Sequence, residues 1–349
     1  MGWKHRLIGA GFAACRAPGL TRIVGRRAQG LGAILMFHHV RPWRERAYAP
    51  NRELEVTPGF LDETLRLLAR RGWIIVSLDE AVERVRAGGG DRPFAALTFD
   101  DGYRDNEEWA LPILAREKAP ATFFATTGFM NRSARLWWLE VEEAVRRARA
   151  IEVEIGGVPI TLSCASDPEK EKAAEKLLAL LRASPQDEVD RVVGDLSRRH
   201  GVDGAALVEE LCLDKKEIAA LSAHPLLAIG AHTRGHPMLA TISRERAFDE
   251  IAGGKADLEA LTGKPIRHLA YPVGDPGSAG AREFAMAREA GYEAAVTTRP
   301  GMLFPEHAAH ITALPRLSVN GRFQSIANLD ALLTGLPFAL WNRGRRVSA

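Results

Sequence analysis

The stretch Ala96-Leu97-Thr98-Phe99-Asp100-Asp101-Gly102 decides how this chain is read. An apolar run ends in two adjacent carboxylates and a glycine, the pattern of a strand that delivers paired acids to its carboxyl end. Two like charges so close together ionise only at a cost unless a cation or a shared proton compensates, so the pair asks for a metal or for general acid/base work. Asp-Gly is also ordinary turn chemistry, and taken alone the pair would more often be a solvated surface turn.

A second stretch shifts that balance. Ile229-Gly230-Ala231-His232-Thr233-Arg234-Gly235-His236-Pro237 again follows an apolar run and places two imidazoles at a strand exit. The His-to-His spacing suits one face of a helix, while Gly235 and Pro237 suit a short turn at least as well, and either geometry lets the rings converge. One carboxylate and two histidines leave positions open on a divalent cation, as a hydrolytic metal needs, whereas a closed structural site uses four protein ligands.

Around these two stretches, strands and helices alternate. Residues 33–37 read as a buried strand entering His38-His39-Val40, and Thr57-Pro58 opens a helix stopped by Gly72. A strand at 73–76, a helix begun by Ser77 and Glu80, and the strand 94–99 follow. Further strands are expected at 121–125, 266–271, 294–297 and 314–319. This rhythm predicts an α/β fold, a distorted (β/α) barrel of about seven parallel strands. It breaks between about 131 and 224, where charged helical stretches predict a largely helical insertion that shapes a substrate groove, binds a partner or merely elaborates the structure. Trp137-Trp138 at its start reads either as a platform for sugar rings or as packing. The expected organisation is a basic N-terminal segment over 1–30, a catalytic barrel over 31–330, and a helix with a basic tail over 331–349. Asp100, His232, Tyr271 and Arg316 all fall near strand exits, which a barrel gathers on one face.

Together with His38, the segment from Thr98 to Gly102 and Tyr271-Pro272-Val273-Gly274-Asp275, these stretches resemble the polysaccharide deacetylase family, carbohydrate esterase family 4, from about Ile34 to Asn320. The resemblance implies Asp100 as catalytic base and Asp101, His232 and His236 as metal ligands. Phe37-His38-His39-Val40 is similar to the aromatic-His-x-Val segment of the permuted poly-N-acetylglucosamine deacetylases, which implies His38 as the acid and leaves His39 open. The chain departs from the family twice. Its late strand, 314–319, has no histidine, and Ala270 stands where an arginine usually orients the base. Arg316 is the candidate replacement, since a guanidinium can hold a carboxylate through two parallel bonds, and a surface role is its alternative. Tyr271 is a possible support, and backbone N–H groups around Val273 are expected to face a developing oxyanion, as in the family.

The implied activity is metal-dependent removal of N-acetyl groups from N-acetylglucosamine-containing glycans or lipid-linked sugars. A carbohydrate O-acetyl esterase and a catalytically silent carbohydrate-binding protein are the alternatives. Zinc is the default metal, and the same ligands suit cobalt, nickel or iron.

Composition bounds the rest. With 349 residues and 46% hydrophobic content the chain can bury a full core. A net charge of +3, with no basic run interleaved with aromatics, argues against nucleic acid. Cys15, Cys164 and Cys212 are odd in number and widely spaced, which suits a reduced compartment better than a disulfide framework. No apolar run approaches the roughly 18 residues of a membrane span. Lys4 and Arg6, the short apolar run 7–14 and Cys15 faintly resemble a lipoprotein signal, but glycines break the run and Arg16 follows at once. An uncleaved basic segment is expected, in a cytoplasmic or peripheral membrane protein, with an exported lipoprotein as the alternative. Lys4, Arg6, Arg16, Arg22, Arg26 and Arg27 precede any acid, which allows weak attraction to anionic lipid.

Overall fold

Seven parallel strands close into a barrel in the computed structural model, which describes residues 25–347. Around the barrel run β1 (Gly32–Phe37), β12 (Leu314–Ser318), β11 (Ala294–Pro300), β10 (His268–Ala270), β9 (Leu227–Ala231), β6 (Ala121–Ala125) and β5 (Phe94–Phe99). The ring closes because β5 also pairs with β1 in register, Gly32 beside Phe94 through Phe37 beside Phe99. The short strand β4 (Ile74–Val76) shares one edge of β5 with β6: β4 takes residues 94–96 and β6 takes 97–99. A barrel of this kind was the expectation, and the alternation of strands and helices was sufficient to predict it. The N-terminal readings from Lys4 to Arg22 lie outside the described residues.

Side-chain alternation sorts each strand into two faces. Ile34, Phe94, Ala96, Phe124, Ala270, Val296 and Leu314 pack with one another on the inner face. Their neighbours Leu35, Ala95, Leu97, Phe99, Phe123, Leu269 and Ala295 face outward and pack against the surrounding helices through Leu61, Leu65, Ile251, Leu258 and Phe284. The helix Pro58–Arg70 begins as its sequence demands: the Thr57 side chain accepts from the Phe60 N–H, and proline occupies the first turn. Ser77 caps Leu78–Arg86 in the same way.

The stretch 131–224 is less purely helical than expected. Between the helices Trp137–Arg147 and Asp167–Arg182 it holds an antiparallel hairpin, β7 (Ala150–Ile155) and β8 (Val158–Ser163), turning on Gly156-Gly157 with both φ angles positive. The alternation of Ile151, Val153 and Ile155 with exposed partners was the strand signal, and the flanking charged helices masked it. Together with Tyr48, Tyr103 and Phe129, this stretch forms a second hydrophobic core. The remaining strands, β2 (His39–Val40) and β3 (Glu55–Val56), pair beside the end of β1. Two short helices, Ile326–Leu332 and Leu336–Trp341, end the described chain.

Candidate active site

Because the inner face of each strand continues in phase past the strand end, the residues that follow point into the barrel mouth. On β5 the inner series Phe94, Ala96, Thr98 runs on to Asp100; on β1, Ile34 and Met36 run on to His38; on β12, Leu314 runs on to Arg316. His232 follows β9 in the same phase and Ala270 ends β10 in it. Tyr271 is out of phase. Its ring packs on Phe284 and its hydroxyl donates to the Thr312 carbonyl at 2.8 Å, so its side chain is a core residue and not a support for the site.

Alternation alone would send Asp101 outward. Its backbone is instead left-handed, φ 71°, which turns the carboxylate toward the histidines. Of the seven described non-glycine residues with positive φ, four lie here: Asp101, Thr233, His236 (φ 59°) and Val273 (φ 60°). Strain of this kind, about 1–3 kcal/mol per residue, persists only where the surroundings over-determine the backbone.

Those surroundings are visible. The segment from His232 to Pro237 is an irregular turn and not a helix, which settles the choice left open by the spacing. The His236 N–H donates to the Thr233 hydroxyl at 3.0 Å, and the Arg234 and Gly235 N–H groups both donate to Glu250. The Arg234 guanidinium forks onto Asp257 at 2.8 and 2.9 Å. The His236 ring lies 4.8 Å from Trp138 and 5.8 Å from Phe129. Trp137 and Trp138 are both buried, edge to face, so they are packing residues, and Trp138 forms a wall behind His236.

Asp101, His232 and His236 present one oxygen and two nitrogens within 4.8 Å of one another, and all three are buried. The His232 Nδ1–H donates to the Ala270 carbonyl at 2.7 Å, which leaves its Nε2 as a lone pair. That Nε2 and the His236 Nε2 each lie 3.3 Å from Asp101 Oδ1, which accepts no hydrogen bond. A lone pair facing a carboxylate oxygen is repulsive on its own and favourable around a cation, so this donor set fits a divalent metal.

Asp100 lies beside this cluster in the grip of Arg316. The guanidinium bonds both carboxylate oxygens, Nη1 to Oδ1 at 2.7 Å and Nη2 to Oδ2 at 2.6 Å. Arg316 is fully buried, and two further N–H groups of its guanidinium reach the Thr297 carbonyl and the Thr98 hydroxyl. Burial pushes the Asp100 pKa up, and the Arg316 charge and hydrogen bonds bring it below the ordinary value. The small side chain of Ala270 also lies on the inner face, and its carbonyl orients His232.

His38, partly exposed, stands next to Asp100 across the β1–β5 register. Its surroundings lower its pKa, burial outweighing the opposite pull of Asp101 and Asp100. His39 turns the other way: its Nδ1–H donates to Asp105 at 2.6 Å and its ring stacks 3.5 Å from Tyr103. Asp105 also accepts from the Val40 N–H, and the Asn106 amide donates to the His38 carbonyl. The loop bearing the acid pair is thus stitched to the segment bearing His38. Asp105 and Asn106 were not singled out from the sequence; the signal was polar residues in the same short stretch as the acid pair, with nothing local to say which neighbour they bond.

Val273 is half-buried. Its N–H meets no acceptor among the described residues, while its carbonyl accepts from the Thr298 hydroxyl. No group of metal-ligating side chains other than Asp101, His232 and His236 is found among the described residues, so none lies in 131–224. Cys164 and Cys212 are free and buried.

Comparison with known proteins agrees with this geometry. The profile of the polysaccharide deacetylase family matches residues 87–295, a span that includes Asp100, Asp101, His232 and His236 and leaves His38 and Arg316 outside. No protein of curated function matches the sequence. Among solved structures, the Streptococcus pyogenes deacetylase PplD in complex with acetate superposes with a TM-score of 0.56 at 17% identity, over 87% of this chain and 97% of that one. IcaB from Ammonifex degensii gives 0.55 at 17%, over 87% and 98%. A de-N-acetylase from Aggregatibacter actinomycetemcomitans gives 0.51 at 12%, over 85% and 97%. At such identities the likeness to these three is one of fold. With the family profile spanning more than half the chain on this barrel, the protein belongs to the polysaccharide deacetylase family.

Proposed function

We propose that the protein is a metal-dependent hydrolase that removes N-acetyl groups from N-acetylglucosamine units of a glycan or a lipid-linked sugar. The observation that carries this reading is the meeting, at one barrel mouth, of the Asp101, His232 and His236 cluster with an arginine-clamped Asp100 and a neighbouring histidine. Asp101 Oδ1, His232 Nε2 and His236 Nε2 are the atoms that would hold the cation, with zinc the default and cobalt, nickel or iron compatible. When bound, the cation polarises the acetyl carbonyl and makes a water molecule acidic.

The chain's own groups do the rest. Asp100 takes the proton of the attacking water; the Arg316 fork keeps it ionised and aimed, and two of its lone-pair positions stay free for that task. The Val273 N–H, with its strained backbone, is offered to the oxygen on which negative charge develops. His38 protonates the departing nitrogen. An amide needs this step because an amine leaves poorly without a proton, and histidine is the side chain suited to giving one near neutral pH. Trp138 and the second core fix His236 from behind, so the insertion supports the site and has no part in bond cleavage.

Acetate release from acetylated chitooligosaccharides and from O-acetylated sugars, before and after chelation, tests this directly. Release from the N-acetyl substrate, lost on chelation and restored by zinc or cobalt, is the expected result. Release from the O-acetyl substrate alone would make the protein an esterase, and none from either would make it a silent member of the family.

The role of His38 has its own test. Its truncation to alanine is expected to reduce N-deacetylation by about 10²- to 10⁴-fold, while cleavage of an activated phenyl acetate, whose leaving group departs unprotonated, falls far less. Equal losses on the two substrates would remove His38 as the acid.

A further inference from the structure

Beside the start of β1, the two ends of the described chain come together. The helix Gly25–Gln29 leads directly into β1 at Gly32 and packs against Leu336–Trp341. The approach is close: a Cβ on Gly335 would meet the Ala28 carbonyl oxygen at 2.0 Å. Leu336 and Phe338 bury the inner side of the last helix, and the Asn342 amide ties its end to the Pro300 carbonyl. Its last turn has no such partners. Leu340 is 67% exposed and Trp341 74% exposed, the two most exposed large hydrophobic side chains among the described residues.

The charge around this apolar pair is predominantly positive. Residues 335–349 contain Arg343, Arg345 and Arg346 and no acid. In the sequence, residues 1–29, of which 25–29 form the helix at this place, contain Lys4, Arg6, Arg16, Arg22, Arg26 and Arg27 and no acid. Arg27, Arg343, Arg345 and Arg346 are exposed. One acid of the barrel reaches this end: Glu306 pairs with Arg346, which also lies over the Phe304 ring. The other arginines of the tail have no acidic partner among the described residues.

We propose that this face is a docking surface for an anionic lipid bilayer. An exposed tryptophan and leucine beside clustered arginines match a membrane interface, where the ring sits among headgroups and the guanidinium groups meet lipid phosphate. No described helix is long and apolar enough to cross a membrane, so the contact is peripheral.

Sedimentation of the full chain with lipid vesicles tests this. The protein should bind phosphatidylcholine vesicles containing about one third phosphatidylglycerol, release at high salt, and ignore vesicles of phosphatidylcholine alone. Replacing Arg343, Arg345 and Arg346 together by Gln should weaken binding by about a hundredfold, at about fivefold per charge. Trp341→Ser should weaken it by about tenfold. Both variants should keep the wild-type melting temperature and the wild-type rate on a soluble substrate. No binding to anionic vesicles, equal binding to neutral ones, or binding unchanged in both variants would overturn the proposal. So would a Trp341→Ser change that turns an oligomer into a monomer and leaves vesicle binding intact, since the face would then be a contact between copies of the chain.

Discussion

Replacing His232 or His236 by alanine is expected to abolish tight binding of a divalent cation and, with it, N-deacetylation. Each removes one of the three donor atoms that would hold the cation, from a cluster whose two imidazoles each lie 3.3 Å from Asp101 Oδ1. Losses should exceed the roughly 10- to 100-fold typical of changes to groups that merely orient a ligand. The two variants differ in a useful way. His232 is oriented by a hydrogen bond to Ala270, whereas His236 is oriented by packing against Trp138 and Phe129. His236→Ala therefore also opens a cavity in the second core, and His236→Gln, which fills more of that space, serves as its control. Metal content by mass spectrometry and unfolding by denaturant are the measurements. Full metal stoichiometry in both alanine variants would remove the cluster as the metal site.

Asp100→Asn should retain metal and lose about 10²- to 10⁴-fold in turnover, the usual contribution of a general base. The structure adds a second consequence. A carboxamide at this position cannot accept both bonds of the Arg316 fork, and Arg316 is fully buried, so the substitution leaves a guanidinium without its counter-charge. Breaking one side of a buried ion pair costs about 3–5 kcal/mol. The variant should thus be measurably less stable, and turnover has to be measured per folded molecule. Arg316→Ala should destabilise by a similar amount for the converse reason, since burial then acts on the Asp100 carboxylate without the guanidinium to oppose it. A variant at Asp100 with near-normal activity would exclude it as the base; one at Arg316 with unchanged stability would show that the fork contributes nothing to the fold.

Much of the site was legible along the chain because its parts lie within two short stretches. Asp100-Asp101 and His232 to His236 each follow an apolar strand, and their residue types and spacing pointed to metal or acid/base chemistry, with the individual roles implied by the family resemblance. The barrel was legible for a related reason: its strands are buried runs separated by capped helices, and Thr57 and Ser77 mark helix starts where the structure has them. The hairpin β7–β8 was missed because a short strand among charged helices leaves too few alternating residues to stand out.

What the sequence determined by itself is thus the strand-helix order and the identity of the acid pair and the two histidines, since these depend on local periodicity and side-chain chemistry. What only the tertiary structure decided is which distant residues meet. Arg316 comes to Asp100, the Ala270 carbonyl to His232 and Trp138 to His236, because barrel closure and strand register set which inner-face positions are neighbours. The same register turned Tyr271 into the core, one residue out of phase. It also left the orientation of Asp101 to a left-handed backbone, which no residue type at that position announces and which the surrounding contacts alone can hold.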